Sequence, residues 1–275
     1  MNARHASLVM IIAACLWGTH PVLIKLADWT PWGTAWVRGI FCAAVLLIYA
    51  HVTGGLSRKS LLVQCFCGLF LAINSGLFVG ASTYTSPANA VVPLLLDFAL
   101  LGKKPLLGDM GRLLLGLAGI VAIVSSGLHG DGGLGNVFAL LAGVAIAAHI
   151  FLCQRLNARH MGNREVLTAM LIGWLLTAVV LAPTGFALPL PSGNALVFLG
   201  LFGVLSAIPW LLWGKAIAYI PGHVVAALLS VEACVAAVMG WWILGEAPGP
   251  VAAIGGGLTL LAATLQVRAG AREGS

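Results

Sequence analysis

Charge is the scarcest thing in this sequence. Only 8% of its 275 residues are Asp, Glu, Lys or Arg, against about 25% in an ordinary soluble domain. That scarcity excludes a water-soluble globular fold. Residues 60–96 and 166–214 carry no charged side chain at all. Motifs for soluble chemistry are missing as well: no G-x-x-x-x-G-K-[ST] loop to cradle a nucleotide, no H-E-x-x-H helix and no G-x-S-x-G turn. An ATP-driven pump, a zinc hydrolase and a serine hydrolase therefore lose their support. The six cysteines form no C-x-x-C pair, and Cys65-Phe66-Cys67 has the wrong spacing for a zinc knuckle. They read as small core hydrophobes, so neither a metal nor a cofactor is expected. A formal net charge of +6 does not imply nucleic acid, because the cations lie in short loops beside apolar runs.

Apolar length is what the chain has instead: it is 60% hydrophobic, with a mean hydropathy of +1.04. About 20 apolar residues of helix cross a ~30 Å hydrocarbon core. The expected fold is an all-α integral membrane protein of ten transmembrane helices. Spans 1 to 6 fall near 6–27, 31–52, 60–82, 88–102, 111–128 and 135–156. The uncharged run from 166 to 214, split at Pro183-Thr184-Gly185 and Pro189-Leu190-Pro191, supplies spans 7 and 8. Spans 9 and 10 follow near 222–245 and 251–267. The first is long and has no small-residue cleavage site, so it is expected to be retained rather than removed as a signal peptide. With the N-terminus inside, every Lys and Arg except Lys25 and Arg38 falls at an inner end, the bias that orients membrane helices.

One ending occurs twice. Span 4 closes on Leu101-Gly102-Lys103-Lys104-Pro105 and span 9 on Leu244-Gly245-Glu246-Ala247-Pro248. The first copy is basic and inside; the second is acidic and outside. Five spans is an odd number, so a duplicated five-helix unit must insert upside down the second time. The expected units are residues 1–130 and 131–275, two inverted repeats within one transmembrane domain. Thr19-His20 in span 1 and Ala148-His149 in span 6 occupy similar places. Inverted repeats that share a midplane site are a transporter architecture, and span 4, short and interrupted by Pro93, is the kind of helix that builds such a site.

Glu232 lies ten residues past Gly222, about 15 Å of helix and so near mid-membrane. Ionisable groups at that depth normally face a cavity or a partner. Glu232 reads either as a proton-linked switch or as a permanently bonded structural carboxyl. Asp97 in span 4 is a second proton-linked candidate, or a partner for Lys103 or Arg112. His20 and His149 suit proton relay or carboxylate binding, against a bland reading as satisfied core histidines. Pro21 is placed to kink span 1. Trp17, Trp210 and Trp213 could stack on a substrate, whereas Trp29, Trp32, Trp36, Trp241 and Trp242 lie near span ends and read as an interfacial belt. Asn74, Ser75, Ser82 and Asn89 offer uncharged polar contacts to a substrate or to neighbouring backbone. Arg38 reads as a packing or ion-pair residue, and Lys25 as a side chain snorkelling outward. The small-residue faces Gly116-Leu117-Ala118-Gly119 and Gly255-Gly256-Gly257 suit tight helix pairing.

These residues resemble the drug/metabolite transporter superfamily, specifically the EamA-type ten-helix exporters. The likeness covers nearly the whole chain. It rests on Leu16-Trp17-Gly18 with Lys25, on Arg38, and on Tyr84-Thr85-Ser86 before a proline-bearing span 4. In the second half it rests on Leu199-Gly200-Leu201 through Trp213, Ala216 to Pro221, Leu228-Leu229-Ser230-Val231-Glu232 and Leu244-Gly245-Glu246. Two positions depart from the family pattern: Ala233 stands where Pro usually follows the glutamate, and Gly102-Lys103-Lys104 replaces a G-E-R ending. The resemblance implies export of small metabolites, most readily aromatic or neutral amino acids, from a bacterial-type inner membrane. It also implies a cavity lined by spans 1, 3, 4, 6, 8 and 9, with Ser230 beside Glu232 on the substrate path. Both termini are expected in the cytoplasm. The expected partners are the lipid bilayer and a small-molecule substrate, with no nucleic acid and no obligate protein. Proton antiport and facilitated diffusion stay open, as does another metabolite class; an intramembrane enzyme built on Asp97 and Glu232 is the competing function.

Overall fold

The structure, a computed structural model, describes residues 3–84, most of 111–122, and 133–158, 163–187, 191–217, 219–220, 225, 228–229 and 231–273. Among these residues all regular structure is helical. In chain order the helices are α1 (Ala3–Gly18), α2 (His20–Ala27), α3 (Pro31–Val52), α4 (Leu61–Tyr84), α5 (Gly133–Ala158), α6 (Asn163–Val180), α7 (Ala182–Ala187), α8 (Gly193–Ala216), α9 (Val231–Leu244) and α10 (Pro250–Glu273). Residues 111–122 are helical wherever described.

Among the described residues, six segments are long and apolar enough to cross a membrane: Arg4–Ala27, Pro31–Val52, Leu61–Tyr84, Gly133–Cys153, Arg164–Ala187 and Gly193–Ala216. They coincide with expected spans 1, 2, 3, 6, 7 and 8. Val231–Leu244 and Pro250–Ala262 are shorter apolar helices at the places of spans 9 and 10. Span 4, with Asn89, Asp97 and the Lys103 ending, lies outside the described residues, as does Ser230.

The radial distribution is that of a protein in lipid. Ile48, Val179 and Phe186 are 66%, 69% and 79% exposed, while His20, Arg38, His149 and Glu232 are buried. Trp241 and Trp242 face outward at the far end of α9. Helix starts are tied down locally: Thr30 accepts from Gly33 N, with Pro31 in the first turn of α3, and Ser192 accepts from Ala195 N at the start of α8.

Missing Cβ atoms bring the helices together. A Cβ at Gly68 of α4 would fall 2.8 Å from Gly173 N of α6, and one at Gly173 would fall 2.8 Å from Gly68 O. Phe41 of α3 fills the space over Gly203 of α8, and Trp36 that over Gly185 of α7. The two glycine-rich faces noted in the sequence meet one another: a Cβ at Gly119 would lie 2.6 Å from Gly255 O.

The two membrane ends can be told apart by their polar contacts. Ser57 Oγ donates to Glu165 Oε1 at 2.7 Å, and Ser57 N to Thr168 Oγ1 at 3.0 Å. At the opposite end of α3, some 33 Å away by its 22 residues, Lys25 Nζ donates to Glu246 Oε1 at 2.6 Å. Lys25 therefore does not snorkel alone, as expected from its position; a carboxylate 221 residues later meets it.

Span 1 is broken, and proline chemistry explains how. Pro21 has no N–H for the Trp17 carbonyl, so α1 stops at Gly18 and α2 restarts at His20, with Thr19 Oγ1 bonded back to Leu16 O at 2.7 Å. Pro209, inside α8, likewise leaves the Leu205 carbonyl without its helical donor. His20 Nε2 lies 3.3 Å from that oxygen and 3.4 Å from Ser206 Oγ. The imidazole of one span thus supplies the donor that the other lacks. His20→Phe should therefore destabilise the protein by ~1–3 kcal/mol through the orphaned carbonyl. In a Pro209→Ala background the new backbone N–H satisfies Leu205 O, and the same change should be milder. Denaturation in mixed micelles across this double-mutant cycle measures the difference, and strictly additive effects would refute the pairing.

Candidate functional site

Arg38 sits seven residues into α3 (Pro31–Val52), roughly 10 Å below the Lys25 end of the bundle. The neighbouring Gly39 lets α3 close on α6, where a Cβ would fall 2.9 Å from Ala178 N. That approach delivers the guanidinium to Trp174. Its central carbon lies 4.9 Å from the Trp174 ring, 5.2 Å from Phe202 and 5.3 Å from Phe78. Three helices, α6, α8 and α4, thus enclose one cation with aromatic faces, which attract it through their ring quadrupoles.

Aromatic faces leave the hydrogen-bond donors unused. Nε and Nη1 of Arg38 are buried without a partner among the described residues, and no carboxylate of those residues lies within 4.0 Å of the group. Among the described residues Glu232, buried on α9, lies within electrostatic reach of Arg38. A buried charge is costly unless it is paired, and among the described residues the aromatic faces supply most of what Arg38 receives.

The broken span carries the opposite wall. Gly18 is where α9 comes closest to it: a Cβ there would fall 2.5 Å from Val235 Cβ and 2.9 Å from Glu232 O. Two residues on, His20 stands edge-on to Phe202 at 5.2 Å and Phe78 at 6.5 Å, two of the rings that Arg38 caps. Its Nδ1 has no partner among the described residues, Nε2 being the atom that meets Leu205 O.

A row of indoles runs on from there. Trp210 of α8 is the hub, 5.1 Å from Trp17, 5.8 Å from Trp174 and 5.7 Å from Trp213. His149 of α5 closes the row, 5.6 Å from Trp210 and 5.7 Å from Trp213. The indole N–H groups of Trp174 and Trp210 are buried without partners among the described residues, and indole donors normally find one when buried. Next to His149 lie Cys67 and Cys153.

Of the side chains singled out in the sequence, Trp17, His20, His149, Trp210, Trp213 and Glu232 join this buried network, with Pro21 shaping its broken wall. Asn74 and Ser75 are buried on α4, and Ser75 Oγ has no partner. Ser82 differs: its hydroxyl bonds to Phe78 O of its own helix at 2.9 Å. Asn89, Asp97 and Ser230 fall outside the described residues. Sequence reasoning passed over Trp174, Phe78 and Phe202, and gave Arg38 only a packing or ion-pair role. For Arg38 a signal existed, since an ionisable residue inside a span is a site candidate by default. The three aromatic rings had none, because an aromatic in an apolar run looks the same whether it faces lipid or core.

Relatives agree with this picture at the level of fold and family. One solved crystal structure superposes with a TM-score of 0.76, covering 97% of this chain and 98% of that one at 17% identity, a likeness that carries the fold alone. A protein of Streptantibioticus cattleyicolor described as a probable terminal-alkyne amino-acid exporter is 30% identical over 171 residues, 61% of this chain and 57% of that protein. The aligned region therefore spans little more than half the length of that relative. Residues 133–268 match the EamA-like transporter family. In a multi-pass chain that is all-helical where described, residues 133–268 belong to the EamA-like transporters of the drug/metabolite transporter superfamily.

Proposed function

We propose that the protein is a secondary transporter that exports aromatic or neutral amino acids by alternating access. The observation that carries this reading is the buried Arg38, capped by Trp174, Phe202 and Phe78 but with Nε and Nη1 unpartnered among the described residues. A substrate carboxylate would fill that vacancy in charge and in hydrogen bonding, since guanidinium and carboxylate match as planar forks. Trp17, Trp174 and Trp210 would then accept a flat apolar side chain. Export, rather than import, follows the likeness to the Streptantibioticus cattleyicolor exporter.

The moving parts in this reading are two inverted five-helix units, residues 1–130 and 131–275, with both termini in the cytoplasm of a bacterial-type inner membrane. Packing supports the duplication. Exchanging span 1 with 6, 2 with 7 and 3 with 8 turns the contact of α1 and α2 with α8 into that of α5 with α4. It likewise turns α4 against α6 into α8 against α3, and leaves α3 against α6 unchanged. The polar contacts follow the same exchange: His20 meets Leu205 O of span 8 as His149 meets Cys67 O of span 3. The family match at 133–268 also nearly coincides with the second unit.

Glu232 is the proposed coupling group. It shares its surroundings with Arg38 and with the break at Gly18 to Pro21, so its charge would compete with a substrate carboxylate for the same cation. Protonation from one side would free Arg38 for cargo, and ionisation would help to expel it.

Reconstituted counterflow of labelled tryptophan tests both roles. Arg38→Gln should weaken tryptophan ~10- to 100-fold, the size of a lost charge-assisted hydrogen bond. Inhibition by tryptamine, which has no carboxylate, should change far less. Equal losses for the two compounds would remove Arg38 from carboxylate recognition. Glu232→Gln should flatten the pH dependence of transport in the same vesicles, and an unaltered pH profile would sink the coupling role.

A further inference from the structure

Cys67, His149 and Cys153 form a buried cluster that the transport reading does not use. Their ligand atoms all lie within 4.8 Å of one another. Cys67 Sγ is 3.7 Å from Cys153 Sγ, and Cys153 Sγ is 3.6 Å from His149 Nε2. His149 and Cys153 share a face of α5 one turn apart, and Cys67 meets them from α4. The imidazole is already oriented: Nδ1 lies 2.9 Å from Cys67 O. A carbonyl only accepts, so Nδ1 carries the proton and Nε2 turns its lone pair toward the thiols. Metal-binding histidines are fixed in this way, by donating their other N–H to a carbonyl or carboxylate.

Distances decide between a chance thiol pair and a metal site. A tetrahedral zinc ion with bonds of ~2.3 Å to sulfur and ~2.05 Å to nitrogen holds two sulfurs about 3.8 Å apart and a sulfur and nitrogen about 3.6 Å apart. Two edges match these within 0.1 Å; the third, Cys67 Sγ to His149 Nε2, lies within 4.8 Å and would have to shorten around the ion. We infer that Cys67, Cys153 and His149 Nε2 form a binding site for a thiophilic divalent ion of the zinc class. Charge balance favours that ion. One divalent cation with two thiolates and a neutral imidazole is neutral overall, and a neutral complex escapes most of the penalty for charge in an apolar interior. Loading releases two thiol protons, one from each cysteine, to solvent, and no electron is transferred. A fourth position stays open to water or an anion.

The site bridges two parts of the chain that the transport reading separates. Cys67 belongs to residues 1–130, while His149 and Cys153 belong to 131–275. If those units rock against one another, which is the reading proposed above, a bound ion would clamp α4 to α5 and stall the cycle. The ion would then act as an inhibitor rather than as cargo.

Cobalt(II) titration of the purified full-length protein in detergent tests binding without any transport assay. The expected result is one ion per chain, with tetrahedral ligand-field bands and a thiolate-to-cobalt charge-transfer band, both displaced by zinc. Cys67→Ser and Cys153→Ser should each abolish the charge-transfer band, and the lipid-exposed Cys65→Ser should leave it intact. If one of the two cluster variants fails to fold, the other still decides the point. Absence of the band, or its survival in both variants, would overturn the site; so would a Cys67–Cys153 disulfide in protein purified under reductant. Zinc added to tryptophan-loaded vesicles should block counterflow in the parent and not in Cys67→Ser. Cobalt binding with unaffected counterflow would keep the site and remove the clamp. Loss of tryptophan counterflow in all preparations would instead count against the transport reading and leave the metal site standing.

Discussion

Everything in this molecule answers to one constraint: inside hydrocarbon no water is available to complete a polar group. Helices satisfy most of the backbone by themselves. The exceptions are created by proline, and they mark where the bundle is held together. Pro209 orphans the Leu205 carbonyl, and His20 meets it from a different span. Pro21 interrupts span 1 next to that same histidine, so the break and the repair occupy one place. Side-chain charge follows the same rule less completely. Arg38 receives aromatic faces and the electrostatic influence of Glu232, and that shortfall is what the proposed carboxylate recognition rests on.

The exchange relation among helix contacts gives the architecture its economy. In the proposed arrangement of two inverted units, the faces that one unit leaves uncovered would be covered by the other. The two histidines illustrate how far this goes and where it ends. Both ring systems reach a backbone carbonyl of a helix distant in the chain, one through Nε2 and the other through Nδ1. Their remaining nitrogens meet different company: Phe78, Phe202 and Arg38 surround the first ring, whereas two thiols and two indoles surround the second. One geometric device, a ring nitrogen on a distant backbone carbonyl, thus serves two chemical environments.

Much of the fold could be read from the chain because lipid imposes length. Spans 1, 2, 3, 6, 7 and 8 fall where runs of low charge placed them, and the kink in span 1 follows from Pro21. The site was legible only where chemistry is rare in such a context, as for Glu232, His20 and His149. What stayed hidden depends on distant contact. No local pattern announces that Lys25 meets Glu246 or that Cys67 lies beside Cys153, 86 residues later. Cysteine spacing along the chain excluded a local zinc knuckle and was silent about ligands from two helices. Trp174 was hidden for a different reason, because bulk and hydrophobicity do not say which way a helix is turned.

The bulky rings seated over glycines have a mechanical corollary. Phe41 over Gly203, Trp36 over Gly185 and Phe138 over Gly80 behave as pegs in sockets cut from neighbouring helices. A peg resists translation along the helix axis, since one residue of slip drives it into a Cβ. It tolerates swivelling about the socket. Motions of this bundle are therefore biased toward tilting of intact helices around fixed hinge points, with piston-like strokes suppressed by steric interlock.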